Sequence, residues 1–201
     1  GDVSKSSGTG SQSDNSIASF FGRAFYSYDD RYLLTATLRR DGSSKFARGN
    51  RWGYFPSVGL GWVISEEAFM KPLKEVVDFA KLRVSWGKLG NDKIGNYLYY
   101  PTINPKGKQV IINGVTQFIP TLNYDIDKDI HWEVMTGIDV GLSAQLFNNR
   151  LGVELGYYSK TTNDLLANVS VSSSIGAGYA ITNAGSINNK GFEFTLSWQD
   201  K

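Results

Sequence analysis

The stretch Val134–Leu146, VMTGIDVGLSAQL, decides the fold. Val134, Thr136, Ile138, Val140, Leu142, Ala144 and Leu146 alternate without a slip with Met135, Gly137, Asp139, Gly141, Ser143 and Gln145. Side chains of a strand point to opposite sides with period two, so one face is apolar and the other small, polar or charged. At about 3.4 Å per residue such a strand is roughly 40 Å long. That exceeds the usual globular strand and suffices to cross a bilayer at a tilt.

The pattern recurs on both sides of this stretch. Leu151, Val153, Leu155 and Tyr157 oppose Gly152, Glu154, Gly156, Tyr158 and Lys160; Tyr32, Leu34, Ala36 and Leu38 oppose Leu33, Thr35, Thr37 and Arg39. Phe192, Phe194, Leu196 and Trp198 oppose Glu193, Thr195, Ser197 and Gln199. Shorter repeats cover Leu82–Trp86 and Val58–Ile64, and a less regular one runs from Ile17 to Tyr28, where Phe21 and Phe25 share a face with Arg23. The expected fold is therefore all-β: an antiparallel meander of about seven to eight long strands, part of a transmembrane β-barrel wall.

Composition narrows the class. A hydrophobic fraction of 41% suits a folded chain, and a formal charge of +2 with dispersed Lys and Arg gives no reason to expect nucleic acid as a partner. The absence of Cys removes disulfides and thiolate metal sites. No apolar run reaches the ~18 residues of a membrane helix. No signal peptide opens the sequence, which points to a truncated chain or a cytosolic protein.

The connections decide between those two because they alternate in length. Asp29-Asp30-Arg31 and Asn148-Asn149-Arg150 read as tight turns, since Asp and Asn tolerate left-handed backbone. Long loops are expected over Arg40–Phe55, Asn91 to about Trp132, and about Asn163 to Lys190. Glu66, Glu67, Phe69, Met70, Leu73, Val76, Val77 and Phe79 fit one short amphipathic helix near 66–79 behind a Ser65 cap, limited by Pro72. Tight turns and this helix then fall at one end and every long loop at the other, as in a transmembrane barrel. Residues 1–16, rich in Ser, Gly and Asp, read as a flexible leader or loop remnant, and 17–201 as a β-barrel segment.

Several motifs also match a family. Phe21-Gly22-Arg23, Tyr26-Ser27-Tyr28, Arg31-Tyr32-Leu33-Leu34-Thr35, the run Arg39 to Phe46, Trp52-Gly53-Tyr54-Phe55-Pro56-Ser57 and Gly61-Trp62 occur in order. Leu82 to Gly87, Gly90-Asn91, Trp132-Glu133, Asn149-Arg150-Leu151, Tyr157-Tyr158, Thr161 with Leu165-Leu166, and Asn183-Ala184-Gly185 through Asn188 to Glu193 follow. Together they closely resemble the SusC/RagA family of TonB-dependent outer-membrane transporters. The resemblance implies a barrel of roughly 22 strands with a plugged lumen, a TonB box, energy from the TonB complex, and a SusD-like surface lipoprotein as lid. It also implies import of a large nutrient such as a glycan or peptide, and an outer-membrane location. The strands at hand are too few to close such a pore, and Gln199-Asp200-Lys201 lack a terminal aromatic, so an internal barrel segment, inactive in transport by itself, is expected. An isolated segment is expected to hide its apolar face by curling or by self-association, because open edges invite pairing. A soluble all-β carbohydrate-binding or adhesin-like module is the alternative.

Candidate sites follow from the two faces. Arg23, Arg39, Asp139, Glu154, Lys160 and Glu193 sit at polar-face positions and are expected to face the lumen, since Arg or Lys at the lipid midplane costs about 2–4 kcal/mol. Mutual pairing and plug contact are the plain role for them, substrate contact the sharper one. Tyr97, Tyr99, Tyr100 and Trp132, with Phe118 and Tyr124, crowd the longest loop and are candidates for ligand or lid contact, against ordinary loop packing. Trp52 and Tyr54 suit an interfacial aromatic girdle. Asp125, Asp127 and Asp129 resemble the start of a calcium loop, but Ile130 and Thr136 occupy the Gly and Glu positions, so a solvated acidic loop is the plainer reading. His131 is the sole histidine, and no acid, base and nucleophile cluster emerges; neither an enzyme nor a cofactor is expected.

Overall fold

In the computed structural model, which describes residues 14–96, 98–100, 102–122, 125–170 and 179–200, the alternating stretch is one strand that pairs along its whole length on both sides. The strands are β1 (Ile17–Tyr28), β2 (Tyr32–Ser43), β3 (Trp52–Val63), β4 (Val77–Asn91), β5 (Ile103–Ile112), β6 (Val115–Leu122), β7 (Asp125–Ile126), β8 (Glu133–Leu146), β9 (Leu151–Asn163), β10 (Leu166–Ser170), β11 (Tyr179–Asn183) and β12 (Ser186–Trp198). Seven of them form one antiparallel sheet in the order β1-β2-β3-β4-β8-β9-β12. The sheet is open: β1 and β12 are its edges, and it does not curl closed on itself.

Register carries one row of side chains across all seven strands. Tyr26, Leu34, Leu60, Val84, Val140, Tyr157 and Phe192 are successive partners, and the next row holds Phe25, Thr35, Gly59, Ser85, Asp139 and Tyr158. Because pairing is in step, apolar side chains accumulate on one face and polar ones on the other. Phe192, on the apolar face, is 86% exposed.

All three tight connections lie at one end. In the β1–β2 turn Asp29 and Asp30 are left-handed, and in the β8–β9 turn the left-handed run begins one residue earlier than expected, at Phe147, and continues through Asn148 and Asn149. The β3–β4 connection differs from the single helix expected over 66–79. It consists of two 3-10 helices, Ile64–Glu66 and Ala68–Leu73, and Val77–Phe79 belongs to β4. Pro72 lies inside the second piece, and neither piece is long enough for an α-helical ladder. Ser65 is not a cap; its hydroxyl is buried inside the first piece without a hydrogen-bond partner.

The long connections lie at the other end and are more ordered than expected. Within 91–132 stands the β5–β6 hairpin, closed by Asn113-Gly114 with both residues left-handed, and β7. Within 163–190 stand β10 and β11, with β7 pairing parallel to β11. The loop expected over 40–55 shrinks to 44–51 as β2 and β3 extend toward each other. Residues 1–13, which hold most of the expected leader, lie outside the described residues, as do Tyr97 and Tyr124.

A small core ties the long connections together. Phe46, Phe55, Ile130 and Trp132 are buried, with Ile94, Leu98, Val134, Leu166 and Ile181 packed around them. Phe46 and Phe55 lie 5.3 Å and 5.4 Å from Trp132, ring centre to ring centre. The reason for the site is local: the β3–β4 ladder stops at Ser57, beside Pro56, which has no N–H to give. The strands part there, and Phe55 lies so close to Gly90 that a Cβ on Gly90 would collide with its ring. Phe46 is fully buried, so Phe46→Ala should cost about 3–5 kcal/mol of local stability. Amide hydrogen exchange is expected to accelerate across 44–51 and 129–132 while 138–144 stays protected.

Candidate functional site

Three regions could carry function: the polar face, the loop end and the turn end. On the polar face, register brings Arg23, Arg39, Asp139, Glu154, Lys160 and Glu193 to the same side of the sheet. Lys81 and Arg83 of β4 join them; their place on this face, opposite Ser143 and Gly141, depends on the β4–β8 register. Glycines keep the centre of this face low. A Cβ on Gly141 would stand 3.2 Å from the Arg83 guanidinium and one on Gly156 3.5 Å from the Glu193 Cβ, while one on Gly59 would meet nothing within 4 Å. The result is a concavity of about 420 Å³ lined by Thr35, Arg83, Ser85, Asp139, Tyr158 and Glu193 among others.

The charged groups there are not mutually paired. Arg39 turns to Asp41 of its own strand at 2.7 Å, Arg23 donates to Thr37 at 3.3 Å, and the Lys160 ammonium lies 5.0 Å over the Tyr158 ring. Among the described residues, Asp139, Glu154 and Glu193 form no ion pair. Such a surface can hold water, a polar polymer or another polar protein surface.

At the loop end the aromatic candidates separate into two kinds. Tyr99 and Tyr100 stack with ring centres 4.6 Å apart, Arg51 reaches the Tyr99 hydroxyl at 3.4 Å, and Tyr100 and Phe118 are exposed. Trp132 is different: it is 7% exposed and donates its indole N–H to the Arg51 carbonyl at 2.9 Å. Its indole is used in the loop core. Polar clamps complete the assembly. Ser43 donates to Asp92 at 2.8 Å, and the Lys45 ammonium reaches the Asp92 carbonyl at 3.0 Å. Asn91 and the Leu166 amide share the Glu133 carboxylate at 3.0 Å and 3.3 Å. Asn183 exchanges hydrogen bonds with the His131 backbone at 2.9 Å and 3.0 Å and donates to the Asp164 carbonyl at 2.8 Å. Asp127 accepts from the Asp129 amide at 2.8 Å and from the Thr182 hydroxyl, so two donors occupy this member of the acidic triplet.

The turn end holds a cluster that sequence reasoning missed, because Glu67 was read only as part of a helix. Its carboxylate accepts from the Tyr32 hydroxyl at 2.5 Å, the Trp62 indole at 3.0 Å and Arg31 at 3.4 Å, while Arg31 also bonds Asp29. Those three donors come from the β1–β2 turn, β2 and β3, so one carboxylate staples the connection onto the sheet. The Tyr32 hydrogen bond foremost and then that of Trp62 hold the Glu67 carboxyl below the ordinary glutamate value of 4.5 against the opposing effect of burial, with the Arg31 charge adding least.

Long antiparallel strands, one apolar and one polar face, short connections at one end and long ones at the other define a segment of a transmembrane β-barrel. Comparison with known proteins agrees: residues 1–200 match the family described as "TonB dependent receptor-like, beta-barrel", and the chain belongs to that family. It is 42% identical over 185 residues to TonB-dependent receptor P26 of Formosa agariphila, covering 90% of this chain and 18% of the relative. Against TonB-dependent receptor SusC of Bacteroides thetaiotaomicron it is 37% identical over 187 residues, covering 91% of this chain and 18% of SusC. Among solved structures, the RagAB peptide transporter superposes with a TM-score of 0.76 at 29% identity, covering 90% of this chain and 20% of that one. The siderophore receptor PirA of Pseudomonas aeruginosa, at 14% identity and a TM-score of 0.58, shares the fold. The chain thus spans 18% of the length of the two curated relatives.

The lowered Glu67 carboxyl sets a pH dependence. Its contribution is complete above the unfolded glutamate range and fades as pH falls through the folded value. The melting midpoint of the wild type should exceed that of Glu67→Gln above the ordinary glutamate range and converge on it as pH falls below that range; parallel profiles would contradict the staple.

Proposed function

We propose that the chain is a stretch of barrel wall in a TonB-dependent outer-membrane transporter of the SusC/RagA type. The observation that carries this reading is the two-sided register that runs from β1 to β12 with one bulge at Val77–Phe79, coupled to 37% identity with SusC. The apolar face meets lipid, where Arg or Lys at the midplane would cost about 2–4 kcal/mol. The face bearing Arg23, Arg39, Asp139, Glu154, Lys160 and Glu193 lines the channel, against the plug or the passing substrate. Transport belongs to the whole protein, not to this stretch.

A large nutrient, a glycan or a peptide, is the cargo class that the resemblance to the SusC/RagA family implies, and likeness to the RagAB peptide transporter supports the peptide. On this reading a SusD-like surface lipoprotein closes over the loop end, where Tyr99, Tyr100 and the β5–β6 hairpin are presented, and the TonB complex supplies energy from the opposite side. The loop core of Phe46, Phe55, Ile130 and Trp132 holds those loops in shape for such a lid.

Labelled oligosaccharides and oligopeptides offered to cells carrying the full-length gene test the reading. Uptake of one class should fall at least about tenfold on deletion of the gene and equally on removal of TonB. Uptake that survives the loss of TonB would contradict it.

A further inference from the structure

The apolar face is not uniformly apolar. Within its regular register, setting aside the β-bulge at Val77–Phe79, charged residues occur at three positions: Arg40, Lys88 and Lys190. Arg40 shares the face of Leu38 and pairs with Tyr54; Lys88 follows Trp86 and pairs with Thr136; Lys190 precedes Phe192 and pairs with Ser159. All three are cations, and all three stand in the half of their strands nearest the long loops. The half nearest the tight turns carries Tyr28, Tyr32, Trp62, Leu146, Leu151 and Trp198 in their place.

The surroundings of these cations are those of a headgroup layer. Among the described residues none of the three forms an ion pair. The Arg40 guanidinium lies 4.3 Å over the Trp52 ring and 5.4 Å from that of Tyr54, which fixes its plane while leaving N–H groups at its edge unused by the rings. Between Lys88 and Lys190, Thr136, Ser159, Thr161 and Asn188 bring hydroxyl and amide groups to the same face, and Asn188 donates to Thr161 at 2.7 Å. Three strand spacings, roughly 14 Å, and two residues along the strand, roughly 7 Å, separate the two lysines. A cation on a lipid-facing wall is costly at hydrocarbon depth and favourable where anionic headgroups meet it.

We propose that Arg40, Lys88 and Lys190 form a basic row that binds phosphorylated lipid headgroups in the leaflet on the loop side. A phosphate matches the unneutralised charge and the edge-on guanidinium fork, and a headgroup bearing more than one phosphate spans the separated lysines. The row thereby sets which leaflet the loop end occupies and anchors the wall at a fixed depth. The proposal rests on the barrel-wall reading above.

The test uses the full-length transporter in phosphatidylcholine vesicles containing lipid A, either phosphorylated or enzymatically dephosphorylated, with retained lipid counted by native mass spectrometry. The wild type should retain phosphorylated lipid A at least about tenfold more strongly than the dephosphorylated form. The combined variant Arg40→Gln, Lys88→Gln, Lys190→Gln should lose that preference. Arg39→Gln with Lys160→Gln, on the other face, should keep it. Equal retention of the two lipids by the wild type, or an unchanged preference in the combined variant, overturns the basic row and leaves the barrel standing. Failure of the wild type to insert into vesicles of either composition overturns both.

Discussion

Everything in this chain depends on satisfying backbone hydrogen bonds without water. In hydrocarbon an unpaired N–H or C=O costs several kcal/mol, and only a helix or a laterally paired sheet avoids that cost. The seven-stranded ladder does so from β2 to β9 by pairing on both sides, and period two then decides the rest. Once Val140 faces one way, Leu60, Val84 and Tyr157 face with it, while Asp139, Ser85 and Tyr158 face oppositely. A shift of one residue in any pairing would exchange the faces for that strand.

The ends of the ladder solve different problems. At the turn end the strands are joined by the shortest available connections, with left-handed Asp and Asn residues and the Glu67 carboxylate gathering Tyr32, Trp62 and Arg31. At the loop end the β3–β4 ladder opens beside Pro56, and the gap is filled by aromatic rings instead of backbone pairing. Among the described residues this is the one place where the chain builds a hydrophobic core of its own. Burial of a large apolar side chain contributes about 1.5–3 kcal/mol each, enough to hold three long connections in a single arrangement. The surface of the loop end is therefore shaped from inside by Trp132 and Phe46.

How much of this was legible in the sequence follows from what is local. Alternation is local, so β8, β9, β2 and the faces of Arg23, Arg39, Asp139, Glu154, Lys160 and Glu193 could be read directly. The family was legible because turn and strand motifs recur in a fixed order. The β5–β6 hairpin was missed although Asn113-Gly114 announces it, because Pro105 and a bulge between Asn104 and Lys108 interrupt the alternation that precedes it. The start of β3 was hidden by Pro56, which argues against a strand interior until one sees that β4 has already departed. Trp132 looked like a surface aromatic because its partners, Phe46 and Phe55, are remote in sequence. Arg40 and Lys88 drew no attention because a cation among apolar residues acquires meaning only when its height on the wall is known.

A single measurement bears on the two-sided wall directly: nitroxide labels placed one at a time at positions 134 to 146 of the full-length protein in a bilayer, with collision rates for oxygen and for a water-soluble nickel chelate. Oxygen should dominate at Ile138, Val140 and Leu142 and the chelate at Asp139, Gly141 and Ser143, alternating residue by residue. A signal with a period near 3.6, or oxygen and chelate equally accessible at neighbouring positions, would contradict a membrane-spanning strand with one face in lipid and the other in water.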